Sequence, residues 1–394
     1  MMYLDINDWQ LTLRQPHQPT RCFTGAAAQT PNGLIFDDDA LARSRSHPQQ
    51  FSNRYLSTIA ADPVAGDMGL AKNHADLIYR HLLQLDLAAS ESLVLAVSGQ
   101  ISNAQLGLLL GICAEAQLTV KGFIDLALGQ SLKIAADTGY HVLDVEQHRM
   151  TLAEIQVRDG QRAQTRTTAM DGVGTASMIE GWMNVIADEF VQKTRFDPLH
   201  SGQTEQHLFD QVYPWLTQSQ MQDHVVNISN GVSTREVEIT AARLLEKLIQ
   251  RLAGVELGQV EHLVLTPRAA SIPALKSELE QRVPQCSVIQ ESDILGNYEQ
   301  LAAALSDTQV KRITQAANIG IADAAESAID SGVHTGNRPA LTASALATHW
   351  LLQHTAYPLN HPTLTEAGVH NGSQVAAGTQ VTVAGQTYTA IRVT

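Results

Sequence analysis

The spacing of apolar residues predicts strands and helices in alternation. Tyr3-Leu4-Asp5-Ile6 reads as a short strand and Gly33-Leu34-Ile35-Phe36 as a second, followed by an acidic turn at Asp37 to Asp39. Between His74 and Leu85, residues Leu77, Ile78, His81, Leu82 and Leu85 share one helical face. Leu93 to Val97 is a short apolar run ended by Ser98-Gly99, as a buried strand would be. Ser102-Asn103 then caps a helix through Leu106, Leu109, Leu110 and Cys113. Lys121 to Asp125 predicts another strand, and Ala127 to Ala135 another helix. That order implies an α/β layer with a parallel component.

The pattern continues with a strand at Tyr140 to Asp144 and a hairpin partner at Met150 to Val157. Ile179, Trp182, Met183, Ile186 and Phe190 mark an amphipathic helix, and Leu244, Leu245, Leu248 and Leu252 a second one over Ile239 to Leu252. A strand at His262 to Thr266 and a helix from Pro273 follow. Ser331 to Pro339, punctuated by Gly and Pro, reads as a linker, with a helix around Ala343 to Leu352. From Gln380 to Val393 residues alternate about Ala384-Gly385, which predicts a hairpin.

Composition narrows the picture. A chain of 394 residues exceeds one small core, so two lobes or two to three domains are expected. Hydrophobic residues at 44% and charged residues at 17% fit a folded globular protein, and aromatics at 5% leave the cores to aliphatic side chains. The formal net charge of -14 does not suit a nucleic-acid backbone or an anionic membrane surface, both of which attract Lys and Arg. It suits protein partners instead. Cys22, Cys113 and Cys286 are scattered and form no CxxC, as expected of reduced thiols in the cytoplasm. Met1 to Gln10 lacks a signal pattern, and no apolar stretch reaches bilayer length, so no membrane insertion is expected. The chain has 15 histidines but no HExxH or Cys-His spacing, so zinc is not indicated. Ser98 is not in a GxSxG context, and no Walker A sequence occurs.

Four ordered segments resemble the ATPase domain of DnaK-type chaperones, within the actin-like superfamily. Tyr3 to Asp8 stands where that family has its first phosphate hairpin. Leu95 to Gln105, leading to Gly122 to Ala127, resembles its strand-helix-strand connection. Val142 to Glu146, with Asp171-Gly172-Val173-Gly174 and the Trp182 helix downstream, occupies the second phosphate hairpin. Leu263 to Thr266, with Ser271 to Leu275, resembles the adenosine motif. The resemblance covers roughly residues 1 to 330 and implies two ribonuclease H-like lobes. Lobe I would span 1–138, completed by 305–330, and lobe II 139–304. Residues 331–394 would add a linker, a helix and a small β appendage.

By resemblance, Asp5 and Asp144 are the carboxylates that would hold Mg²⁺ for ATP or ADP, and Asp125 stands where the family carries a Glu near the metal. These three would be the catalytic set. The cradle glycines are replaced. Asn7, Asp8 and Trp9 occupy the family's Gly-Thr-Thr turn, Glu146 to Arg149 its second Gly-rich turn, and Pro267-Arg268 a Gly pair at the adenosine. Gly172 and Gly174 either approach nucleotide or make a turn before a helix. Glu246, Lys247 and Arg251 lie on the helix that touches adenine in the relatives, or form a solvated face. About 55 residues follow the linker, too few for a peptide-binding half. The leading expectation is a protein-binding scaffold or pseudo-ATPase on this fold. A working Mg²⁺-dependent ATPase with chaperone-like action is the alternative, and a small-molecule kinase the third.

Overall fold

The computed structural model describes residues 1–87, 91–231, 233–306, 309–317, 349–352, 355–358, 380–383 and 386–391. In chain order, β1 (Met2–Ile6), β2 (Leu11–Arg14) and β3 (Arg21–Phe23) form an antiparallel meander. A smaller antiparallel sheet has β4 (Ala27–Thr30) at its centre, flanked by β5 (Gly33–Phe36) and β6 (Phe51–Ser52), with α1 (Asp37–Leu41) between β5 and β6 in the chain. Then come α2 (Tyr55–Thr58), α3 (His74–Gln84), β7 (Ser92–Val97), α4 (Asn103–Glu115), β8 (Thr119–Asp125) and α5 (Leu126–Gln130). A second meander follows in β9 (Tyr140–Val145), β10 (Arg149–Arg158) and β11 (Gln161–Asp171). Next are α6 (Thr175–Thr194), α7 (Gly202–Val212), the hairpin β12 (His224–Ser229) and β13 (Thr234–Ile239), and α8 (Ala241–Leu252). After these run β14 (His262–Leu265), α9 (Pro267–Ala270), α10 (Leu275–Glu280), β15 (Gln285–Val288) and α11 (Glu291–Ala302). The chain continues through β16 (Arg312–Ile313), β17 (Gln315–Ala317), β18 (His349–Leu352), β19 (Thr355–Pro358), β20 (Gln380–Val383) and β21 (Gln386–Ile391).

Two six-stranded mixed sheets carry the α/β fold, and they share a five-strand core. The first runs β16-β8-β7-β1-β2-β3, with β1, β7, β8 and β16 parallel. The second runs β15-β14-β9-β10-β11-β17, with β9, β14 and β15 parallel. In each, a three-stranded meander supplies one part and two parallel crossover strands extend the other; the sixth strand is β16 beyond the crossovers in the first sheet and β17 beyond the meander in the second.

Strand alternation explains where the central acids point. In β1, Met2, Leu4 and Ile6 join the core beneath the first sheet, while Tyr3 joins a core between the two sheets. Successive residues face opposite ways, so Asp5 shares the Tyr3 face. In β9, Leu143 and Val145 join the core of the second sheet, and Tyr140 and Val142 the intersheet core. Asp144 therefore faces the first sheet. The intersheet core is completed by Leu126 and Leu128 of α5 and by Ile294, Tyr298 and Leu301 of α11. Inside the second core, Trp182 donates its indole N–H to the Leu244 carbonyl at 3.0 Å.

Helix starts follow their caps. Ser102 and Gln105 form a reciprocal capping box on α4, and Asp125 caps α5 by accepting from the Leu128 amide. Thr266 ends β14 and caps α9, so the strand expected through that residue stops one position earlier. Ile239 ends β13 instead of opening α8, because Thr240 supplies the helix cap. The acidic run at Asp37 to Asp39 forms the first turn of α1, where carboxylates are favoured by the helix dipole.

The chain crosses between the two sheets from Arg312 to Ala317. β16 hydrogen-bonds to β8 of the first sheet and β17 to β11 of the second. Ala26, Ala28, Ala40 and Leu41 pack into the second core despite their early position. The expected linker at 331–339 lies outside the described residues. The helix expected over Ala343 to Leu352 is corrected in its last turn: His349–Leu352 is a strand, held between β19 and β21 by backbone hydrogen bonds. β20 and β21 form the expected terminal hairpin, and β19 lies against α4. Between Leu106 and Cys113 α4 is apolar on every side, and Leu106, Leu109, Leu110 and Ile112 are all buried.

Candidate functional site

The structure brings Asp5, Asn7, Asp8, Asp144 and Arg268 together along one seam where the β1–β2 and β9–β10 turns meet. Asn7 shapes the first turn. Its side-chain oxygen accepts from the Trp9 amide at 2.9 Å, and its amide nitrogen donates to the Val145 carbonyl at 3.0 Å and to Asp144 Oδ2 at 3.2 Å. Asp8 accepts from the Gln147 amide at 2.6 Å, tying the first turn to the second. Trp9 leaves the first hairpin and is buried in the core of the second sheet. Side chains and backbone of the two turns thus contact each other directly.

Each candidate acid meets an arginine. Asp5 is fully buried and accepts from Arg14 Nη1 at 2.6 Å, Tyr298 Oη at 2.8 Å and Gln130 Nε2 at 3.1 Å. Asp144 accepts from Arg268 at 2.8 and 3.2 Å, a two-point contact, and from Thr266 Oγ1 at 2.7 Å. Asp125 accepts from Arg312 Nη2 at 2.8 Å. Burial lowers the Arg14 and Arg268 pKa values, but the groups around them together outweigh it and hold both above the ordinary value: Asp5, Tyr298 and Glu291 around Arg14, Asp144 and Asp5 around Arg268. Burial raises the Asp125 pKa against the opposing pull of Arg312.

The second turn carries its own acid. Glu146 is pushed up to about 7 by burial and by Asp8, although Arg149 Nε donates to it at 2.6 Å. Asp8 is also raised by burial, and its Oδ2 has no hydrogen-bond partner. His148, beside them, is lowered by burial. Gly172 adopts φ +78 and its amide donates to the His148 carbonyl at 3.0 Å. A Cβ at Gly174 would strike the Gln147 carbonyl and the Arg149 amide. Both glycines therefore seat the second turn on the start of α6. Glu246 is exposed on α8, with Gln250 as its side-chain neighbour at 3.5 Å, and is not brought to the seam.

This arrangement does not fit a Mg²⁺-nucleotide. A hydrated Mg²⁺ needs carboxylate oxygens free to accept from its waters, and here three buried guanidiniums hold those oxygens. Separating a buried pair costs roughly 3–5 kcal/mol. Among the described residues, no group of three or more His, Cys, Asp or Glu side chains is placed to hold a metal ion. Among them, too, no helix is long and apolar enough to cross a membrane.

Sequence reasoning missed Arg14, Arg312, Gln130 and Tyr298. One signal was present for Arg14: with Asp5 paired to Thr12, the residue two positions on returns to the Asp5 face. Arg312 and Tyr298 arrive from 187 and 293 residues away, and no local pattern announces them. The chain matches no protein-family model and no curated protein.

Proposed function

We propose that this chain is a two-lobed protein of the actin and DnaK ATPase superfamily in which the interlobe nucleotide site is closed by the protein's own side chains. It acts as a protein-binding scaffold, a pseudo-ATPase, in the cytoplasm. The five-strand core common to both sheets, with Asp5 and Asp144 near matching ends of β1 and β9, supports the superfamily reading. The observation that carries loss of nucleotide binding is the pairing of Asp5, Asp144 and Asp125 with Arg14, Arg268 and Arg312. The acidic surface implied by a net charge of -14 favours a protein partner with neutral or basic contacts.

The matching placement of Asp5 and Asp144 is also what favours the second reading, a slow ATPase whose lobes open before nucleotide enters. Thermal unfolding with and without Mg-ATP and Mg-ADP separates the two. A ligand at about a hundred times its dissociation constant adds about 2.7 kcal/mol, a rise of a few degrees for a chain of this size. A closed site gives no shift. A Mg²⁺-dependent rise that Asp144→Ala abolishes would replace the scaffold with the ATPase.

A further inference from the structure

We infer a metal-free oxyanion site on the open flank of the seam, built by Arg14 and Arg268 and suited to hydrogen phosphate. A cavity of about 330 Å³ lies there, lined among others by Thr12, Arg14, Gln130, Arg268 and Glu291. It reaches solvent past the exposed residues Thr20, Thr217 and Ser271. The inference goes beyond the scaffold reading and stands independently of it.

The donor count leaves room for an anion. Arg14 directs Nε and Nη2 to Glu291 and Nη1 to Asp5. Arg268 directs Nε and Nη2 to Asp144 and Nη1 to the Gln10 carbonyl. A guanidinium has five N–H donors, so with three engaged on each, two remain on each. Asp5 and Asp144 neutralise the two arginines but do not line the cavity.

The acceptor side is equally specific. Gln130 is 3% exposed, and its Nε2 donates to Asp5 at 3.1 Å. Its Oε1 is buried without a hydrogen-bond partner, and the residue lines the cavity. A buried acceptor left alone is costly, and it is satisfied by a ligand O–H. Two guanidiniums for the charged oxygens and one acceptor for a hydroxyl match hydrogen phosphate. Sulfate has the same shape and no proton to donate.

Glu291 is the one carboxylate that lines this cavity. It starts α11, its side chain is 49% exposed, and it takes the Nε–Nη2 edge of Arg14. An incoming anion takes that edge when Glu291 turns to solvent, so Glu291 is an internal competitor.

The test is calorimetric titration with potassium phosphate and potassium sulfate at pH 7 and matched ionic strength, on the intact chain and on Glu291→Gln. Phosphate should bind both proteins, about tenfold more tightly to Glu291→Gln, and sulfate should bind at least about tenfold more weakly than phosphate. Glu291 is half exposed, so this variant leaves the fold intact. No phosphate heat at millimolar concentration in either protein overturns the site, and equal affinity for phosphate and sulfate overturns the role of Gln130.

Discussion

Asp5 and Asp144 occupy corresponding strands of two sheets that share a five-strand core, yet they are neutralised in different ways. Asp5 draws Arg14 from the next strand of its own hairpin, nine residues away, and adds Tyr298 from α11 and Gln130 from α5. Asp144 draws Arg268 from α9, 124 residues away, with Thr266 beside it and Asn7 reaching over from the other turn. The first acid is held mostly by its own sheet and the helices against it. The second is held in part by the opposite hairpin. The same backbone position thus permits two solutions, and the second couples the acid to the contact between turns.

That difference sets the order of expected effects. Arg268→Ala should be the most damaging. It removes the two-point contact to Asp144, leaving Thr266 and Asn7 as side-chain donors, together with the contact to the Gln10 carbonyl, for a loss of about 3–5 kcal/mol in denaturant unfolding. Arg14→Ala should cost less, about 2–4 kcal/mol, because it removes one hydrogen bond from Asp5 where Arg268→Ala removes two from Asp144. If Arg14→Ala proves the worse of the two, the coupling assigned to Asp144 is wrong.

The turn contact should also respond to pH. The folded Glu146 pKa, about 7, lies above its ordinary value of 4.5. The folded state therefore binds more protons between those values. This stabilisation is complete below about pH 4.5 and is lost as pH rises to about 7, on the order of 2–3 kcal/mol. His148, lowered by burial, acts in the opposite direction below pH 6.5. Melting temperatures from pH 5 to 8 should fall more for the intact chain than for Glu146→Gln; parallel curves would remove Glu146 from the seam.

Tyr298→Phe should have the smallest effect. It removes one hydrogen bond to a charged group, for about 1.5–2 kcal/mol in the same unfolding measurement, and leaves the Arg14 pair in place. An effect as large as that of Arg14→Ala would mean that the hydroxyl, not the guanidinium, is the main partner of Asp5.

Local pattern carried much of the fold into the sequence. The apolar run of β1, the stripe of α8 and the caps of α4 are all readable because each is set by neighbours within a few residues. Asp5 and Asp144 stand out because their strand-turn segments resemble phosphate hairpins, not by a pattern of their own. Their partners mostly do not stand out, since Arg312 and Tyr298 reach the seam only through the folding of the whole chain. Trp9 shows the same limit. In sequence it is a bulky residue in a turn; in the fold it is a buried part of the opposite core. The strand at His349–Leu352 went unrecognised because its pairing comes from β19 and β21, not from its own periodicity.

The most direct test of the closed seam is hydrogen–deuterium exchange at the Gln147 amide, which donates to Asp8 across the two turns at 2.6 Å. A closed seam predicts slow exchange, with the same protection in the presence and absence of Mg-ATP. Rapid exchange in the free protein that slows only when Mg-ATP is added would contradict it, because the turns would then part to admit a nucleotide.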